Sequence, residues 1–539
     1  MMLSRKKSML LVAVSALVFL VGYLTLKQTE RLLTEAFESK LVLISNQSPY
    51  QISYEGLDIS ILKQSFWLAD VMVLPDSLPR DGKSLQPHMA IASITAHDFE
   101  ILPLLFNRHL NIGEIEMNNL EMVYSTRKGN GQKQKKSPNT KKKEKSPLKK
   151  LTVESIGISD YLITELSTNL KDSLSTLQGE NFSINGVAFE RTPKKRQLSL
   201  NPSKLTLHAS NLFGKLGNTE LMLSNFQFNT ENSFARFDSL QIGSPYSSRQ
   251  IAKHQKYNKP VNSAKIPVLE CFGIQTDSLL KHGNFVADSL LLDRAHFTII
   301  KNIAKPWDTN AVIPLPQELL RNKKQNIAIE RVHIKDAKTQ YFEVTKTDEI
   351  EIPIDQLQVT IKNLGQQTVE IRNQEEQSME VAIQGRFFYD FPVEARFLFP
   401  KPMQSDLFQF EGSTGPFHFE TFNPIMVPTS NIKFESGYVQ RINFNGTGNA
   451  DRASGEFVMI YDDLTTTVLK RKGHKKNKAF SWLANATVRK QNPKNGRIKV
   501  ARMEHQRVVY KGFGNYMFKT IETGLTNSVY PFGNRKKYK

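Results

Sequence analysis

Residues Leu110–Tyr124, LNIGEIEMNNLEMVY, place apolar side chains at Leu110, Ile112, Ile115, Met117, Leu120, Met122 and Tyr124. Pairs at strand spacing are separated by a longer step. The same template fits Leu151, Val153, Ile156, Ile158, Tyr161 and Ile163; Phe285, Ala287, Leu290, Leu292, Ala295, Phe297 and Ile299; and Ile327, Ile329, Val332, Ile334, Ala337, Thr339 and Tyr341. Alternation with period two puts one set of side chains on one face of a strand, and an extra residue at each step is what a β-bulge needs to keep that face inward while the strand bends. The expected product is a strongly curved sheet with one apolar face. A short β-solenoid competes, because the pattern also has a five-residue period. Off-pattern Val123, Leu162, Val286 and Leu291 leave the outer face less than uniformly polar.

At 539 residues the chain has room for several domains or for one elongated sheet. Its single cysteine, Cys271, excludes an internal disulfide and a CxxC zinc site. The net charge of +20 raises the question of nucleic acid, which its distribution answers. Arg127 to Lys150 holds eleven Lys/Arg against one Glu, Lys470 to Lys478 six, and Arg535 to Lys539 four. These segments carry the whole excess, so no basic stripe crosses the expected fold and no nucleic-acid partner is expected. Lysines among Gln, Asn, Ser and Pro form solvated loops; contact with anionic lipid headgroups is the alternative.

Met9–Leu26 is an uncharged run of 18 residues, MLLVAVSALVFLVGYLTL, preceded by Arg5, Lys6 and Lys7. At 1.5 Å per residue it reaches about 27 Å, enough for a bilayer core. A cleaved signal peptide is the alternative, but Tyr23, Leu24, Leu26 and Lys27 occupy the place of the small residues that cleavage needs. The expectation is a retained anchor with residues 1–8 in the cytoplasm and the rest across the membrane. Leu26, Leu33, Phe37, Leu41 and Ile44 then recur at helical spacing among charges, giving an amphipathic stem over 27–45 that can pack on the first sheet.

From Tyr50 onward strands are expected. A β region over 46–126 is followed by the Lys-rich insertion at 127–150, further template copies over 151–469, a basic loop at 470–478 and a helical, basic segment over 479–539. Phe99 to Phe106 is expected to cap the sheet edge or touch a membrane surface. Ser244 to Lys265 is expected to be a polar loop and Pro316 to Arg321 a short helix. Val381 to Phe444 has the pattern of a meander with a turn at Asn445–Gly446. Phe513, Tyr516, Met517, Ile521 and Leu525 give the last helix one apolar side, for a membrane interface or for the end of the sheet. The fold class is mainly β: an N-terminal transmembrane helix followed by an elongated, strongly curved, groove-like sheet with a few short helices.

Catalytic constellations are not evident. HExxH, GxSxG, P-loop and Rossmann fingerprints are absent, and Gly446-Thr447-Gly448 and Gly512-Phe513-Gly514 lack the third glycine. Asp462 and Asp463 are adjacent, hence on opposite faces of a strand, and the histidines are scattered. No catalytic residue, metal or cofactor is expected. Asn445-Gly446-Thr447 and Asn485-Ala486-Thr487 match glycosylation sequons, which matter only in a eukaryotic source.

The opening region, SYEGLDISILKQSFWLADVMVLP from Ser53 and IASITAHDFEILPLLFNRHLNIGEIEMNNLEMVYS from Ile91, resembles the start of the AsmA-like proteins of Gram-negative bacteria. GEFVMIYDDLTTTVLK from Gly455, Leu483-Ala484-Asn485 and KGFGNYMFK from Lys511 resemble the C-terminal part of the same group. The resemblance implies an inner-membrane protein with a periplasmic groove of bent strands, implicated in moving or holding phospholipid and in outer-membrane maintenance. This chain is short for a bridge between membranes and carries the Lys-rich insertion. The candidate groove lining is Ile112, Met117, Ile156, Leu292, Val332 and Ile334, with Met9 and Leu26 bounding the anchor. Membrane phospholipid is the expected partner. An ordinary closed core is the alternative for these residues, and an assembly scaffold that binds an envelope protein by strand addition is the alternative function.

Overall fold

All four template copies are strands, and they pair two by two in parallel, like position against like. Leu110, Ile112, Ile115, Met117, Leu120 and Met122 stand opposite Leu151, Val153, Ile156, Ile158, Tyr161 and Ile163. In the second pair, Phe285, Ala287, Leu290 and Leu292 stand opposite Ile327, Ile329, Val332 and Ile334, and Phe297 and Ile299 opposite Thr339 and Tyr341. The computed structural model describes residues 5–47, 50–75, 87–100, 109–125, 150–167, 173–189, 191–192, 195–196, 199–200, 204–322, 326–346, 348–365, 378–401, 405–469 and 488–530, with side chains over the same ranges except 5–18, 40, 43–44, 46–47, 150–151, 187–200 and 429. The Lys-rich insertion, most of Phe99 to Phe106, the basic loop at 470–478 and the helix expected around Trp482 lie outside the described residues. The chain is mainly β with few helices and divides into two compact units, Met1–Glu231 and Asn232–Lys539.

The first unit contains α1 (Arg5–Gln47) and β1 (Tyr50–Ser53), β2 (Gly56–Ser60), β3 (Ser65–Pro75), β4 (His88–His97), β5 (His109–Ser125), β6 (Lys150–Leu166), β7 (Ser173–Asn185), β8 (Val187–Phe189), β9 (Arg191–Thr192), β10 (Lys195–Arg196), β11 (Ser199–Leu200), β12 (Thr206–Leu216) and β13 (Thr219–Asn229). Strand β3 pairs antiparallel with β1, β2 and β4, and the sheet continues through β5, β6, β7, β12 and β13. Among the described residues of this unit only β5–β6 is parallel.

The second unit contains β14 (Phe234–Gly243), α2 (Ser248–His254), β15 (Val261–Phe272), α3 (Thr276–His282), β16 (Phe285–Asp293), β17 (His296–Asn302), α4 (Pro316–Arg321), β18 (Ile327–Val344), β19 (Glu349–Gly365), β20 (Met379–Phe387), β21 (Phe391–Phe399), β22 (Phe408–Thr414), β23 (Phe417–His418), α5 (Asn423–Ser430), β24 (Ile432–Gly448), β25 (Arg452–Val468), β26 (Val500–Gln506) and α6 (Phe513–Val529). Strand β18 receives β16 and β17 in parallel on one side and β19 antiparallel on the other. A meander from β19 to β26 follows. The dominance of antiparallel pairs rules out the solenoid.

The step in the template is a bulge in one copy only. Strands β4 and β5 keep one register on both sides of it, with Ile91 opposite Leu120 and Ser93 opposite Asn118, and so do β6 and β7. Strand β18 shifts register against β19 there, between Ile334 and Ala337 and again between Ala337 and Thr339. In every copy the residue before the next apolar position takes a left-handed backbone: Asn119 (φ 54°), Asp160 (φ 54°), Arg294 (φ 51°) and Asp336 (φ 47°). Asp70 and Asn211 continue the row on β3 and β12. Asn and Asp enter this region at lower cost than other side chains. The left-handed residue keeps the apolar set on one face, since Leu68 and Val71, Met117 and Leu120, and Ile158 and Tyr161 all pack in one cluster.

Helix α1 packs on that cluster through Phe37, whose ring lies 4.6 Å from Phe66. Buried Glu30 fixes the docking: its Oε1 accepts from the Ile61 amide at 2.9 Å and its Oε2 from Lys27 Nζ at 2.9 Å. Among the described residues no helix is long and apolar enough to cross a membrane; the first half of the segment expected to be an anchor, including Met9, lies outside the described side chains.

Two local expectations are overturned. Ser244 to Lys265 is not a loop, because a capping box between Ser247 and Gln250 starts α2 and Val261 starts β15. Asn445–Gly446 is not a turn but lies inside β24, opposite Glu456 and Gly455; the chain reverses at Asn449, whose Oδ1 accepts from the Asp451 and Arg452 amides. Gly446 is required there by close approach, since a Cβ would sit 2.7 Å from the Phe410 ring. The meander itself closes over an aromatic core of Phe391, Phe399, Phe408, Phe410, Phe417 and Phe419. Helix α6 covers its end by burying Tyr516, Met517, Thr520, Gly524 and Ser528.

Candidate functional site

The apolar rows of the template strands are treated differently along the chain. In the meander they are sealed, and Phe408, Phe457, Met459 and Tyr461 are almost without exposure. Across the template strands the cover is mixed: Leu120, Val153, Tyr161, Ile329 and Ala337 are buried, and other positions are half-buried. In the second unit one row runs from Phe237 through Leu269, Leu292 and Ile334 to Val359, all half-buried. The next, Ala235, Cys271, Leu290, Val332 and Ile361, is tighter, with Cys271 and Val332 buried. Burial pushes the Cys271 thiol up to about 11, with Asp288 adding to the effect. In the first unit Ile94, Met117, Ile158 and Phe182 form a half-buried row, and Ile115, Ile156 and Ile184 another.

An opening lies over β14, β15, β17 and β18. It is an open cavity of about 400 Å³ lined by Ile242, Asn262, Ser263, Ala264, Phe297, Ile299 and Thr339. Register explains the lining: Ile242, Ala264, Phe297 and Thr339 form one row across the four strands. Asn262, Ile299 and Tyr341 form the next. Tyr341 donates its hydroxyl to Glu343 Oε1 at 2.9 Å, and burial first, then Glu343, pushes that phenol far above its ordinary range. The opposite face carries ion pairs, such as Arg236 with Asp238 (2.9 Å) and Glu270 (2.7 Å), and Arg396 with Glu380 (3.1 Å) and Glu411 (3.3 Å).

Of the six residues chosen from sequence, Ile112, Met117 and Ile156 are half-buried on β5 and β6, and Leu292 and Ile334 are half-buried register partners on β16 and β18. Val332, at 5% exposure, is part of the wall. Phe297, Ile299 and Thr339 belong to the template and do line the cavity. Asn262, Ser263 and Ala264 fall within Ser244 to Lys265, the segment expected to be a loop, and Pro260 followed by Val261 is the signal for the strand; Ile242 lies just before that segment and outside the template. Among the described residues no group of three or more His, Cys, Asp or Glu side chains converges on a point where a metal would bind. Four of the seven lining residues are apolar, Ile242, Ala264, Phe297 and Ile299, and suit contact with hydrocarbon; Asn262, Ser263 and Thr339 are polar.

No protein-family model matches the chain, and no curated protein is significantly similar to it.

Proposed function

We propose that this chain is a membrane-anchored lipid-handling protein of the AsmA-like kind, which shelters phospholipid acyl chains along the apolar face of its template strands and contributes to lipid transfer between membranes or to outer-membrane maintenance. The observation that carries this reading is the open cavity on Phe297 and Ile299, together with the half-buried rows through Met117 and Leu292. The centre of the meander is sealed by contrast, at Phe408, Phe457, Met459 and Tyr461. Each CH₂ group removed from water contributes roughly 0.8 kcal/mol, so two long chains bind without polar recognition. The anchor at 9–26 holds the body at a bacterial inner membrane, N-terminus in the cytoplasm and bulk in the periplasm. Phe19, Leu20, Val21, Tyr23 and Leu24, in its described part, are exposed and consistent with a lipid-facing helix.

Lipid extraction from the full-length chain, purified in a maltoside detergent without added lipid, tests the proposal. Phospholipid co-purifies, and Ile299→Asp lowers its amount several-fold, because a carboxylate placed against hydrocarbon costs at least about 2 kcal/mol. A lipid-free wild-type chain, or a folded Ile299→Asp variant that retains as much lipid, rejects it.

A further inference from the structure

The apolar template gives way to charge at the end of β17. Phe297, Ile299 and Lys301 are alternate residues of that strand and share one face, so Lys301 stands one step beyond the cavity lining. Its Nζ lies 4.4 Å from the centroid of Trp307, and the Nζ of Lys511 lies 4.9 Å from the same ring. The Tyr510 ring is 6.3 Å from Trp307 and 6.0 Å from the Lys511 ammonium. Two distant segments therefore bring two cations to one indole.

Both segments are fixed. Asn302 Nδ2 donates to the Ala252 carbonyl at 2.9 Å, and the Asn258 amide donates to the Pro306 carbonyl at 2.8 Å, which holds the turn that carries Trp307. On the other side the Ile313 amide donates to the Val509 carbonyl at 2.9 Å, and Arg507 Nη2 to the Ile313 carbonyl at 2.5 Å. The acids nearby are engaged: Asp308 pairs with Lys259 at 3.5 Å, and Glu343, the register partner of Lys301, holds the Tyr341 hydroxyl. Among the described residues neither Lys301 nor Lys511 makes an ion pair. Burial lowers the Lys301 ammonium below its ordinary range; Glu343 opposes this and Lys511 adds to it. An anion near both ammonium groups relieves that repulsion.

We propose that Lys301 and Lys511, held over Trp307, bind a phosphate group, and that it is the headgroup phosphate of a phospholipid whose acyl chains lie over Ile299 and Phe297. Lysine is suited to this as a compact point charge for phosphate oxygens. The lipid source rests on the function proposed above; the phosphate chemistry does not.

Two measurements on the full-length chain in maltoside separate the parts. In the first, Trp67→Phe and Trp482→Phe leave Trp307 as the sole indole, and its fluorescence is titrated with inorganic phosphate. A saturable change, weakened about tenfold or more by Lys301→Gln with Lys511→Gln and restored by Lys→Arg at both positions, is expected, since a charge-assisted contact of about 1.5 kcal/mol is about a factor of ten. In the second, phospholipid and diacylglycerol retained by the chain are weighed by mass spectrometry. The double Gln variant is expected to lose phospholipid about tenfold and to keep diacylglycerol. Phosphate binding without retained lipid supports the anion site, assigns it to free phosphate and overturns the lipid source. An unchanged phospholipid-to-diacylglycerol ratio in the double Gln variant, with no phosphate effect on Trp307, overturns the proposal and leaves the acyl trough standing.

Discussion

At the scale of single residues the template depends on four positions that an alternation pattern passes over. Asn119, Asp160, Arg294 and Asp336 turn the backbone left-handed so that the next apolar side chain returns to the inner face. A β-branched residue there is strained, and Asp160→Val is expected to lower unfolding free energy by about 1–2 kcal/mol, with Asp160→Gly near neutral, by denaturant titration. Arg294 is the one long side chain of the set, so Arg294→Gly is expected to match or exceed the wild type in the same experiment. Cys271 supplies a second residue-level test. Buried, with its thiol pushed up to about 11, it is expected to resist maleimide at neutral pH and to react once denaturant unfolds the second unit; rapid labelling of the native chain contradicts the burial.

Elements were legible to different depths for identifiable reasons. The strands of the four template copies and helix Pro316–Arg321 were plain from spacing, because side-chain period is a property of the sequence alone. Their parallel pairing was not, since alternation fixes a face but not a neighbour. Gly446 misled because Asn-Gly is a turn signal wherever it falls, and only its neighbours on β25 and β22, the Ser454 carbonyl and the Phe410 ring, show why glycine is needed in a strand. Glu30 was equally invisible: its role depends on the Ile61 amide, 31 positions away. Lys27 above all, and then the Ile61 amide, hold the Glu30 carboxyl below the usual carboxylate range of about 4.5, against the opposing effect of burial. A depressed folded value means that the stabilisation is complete above about pH 4.5 and is lost as pH falls through the folded value. Protection of the Ile61 amide in hydrogen exchange is therefore expected to fall in acid in the wild type. Glu30→Gln is expected to show weaker protection at neutral pH and little further loss in acid. Equal pH dependence in both chains contradicts the assignment. At the other end of the chain, Gly524 in α6 sits 2.7 Å from Phe457 for any added Cβ, so Gly524→Leu is expected to cost about 1–3 kcal/mol through overpacking.

For the whole molecule the contrast between sealed and half-covered apolar rows connects fold to function. The template spacing supplied one apolar face but did not tell a closed core from an open one. Both outcomes occur in one chain: a closed aromatic core under α6, and half-buried rows beside buried ones on the template strands. The lipid proposal concerns only the second kind. Its most direct test is photo-crosslinking in living cells from benzoyl-phenylalanine placed at Met117, Leu292 or Ile299, compared with the exposed positions Glu116 and Lys335. Phospholipid adducts at the three apolar positions, and none at the two polar ones, are the expected result; adducts absent from Met117, Leu292 and Ile299, or equally abundant on both faces, would contradict it.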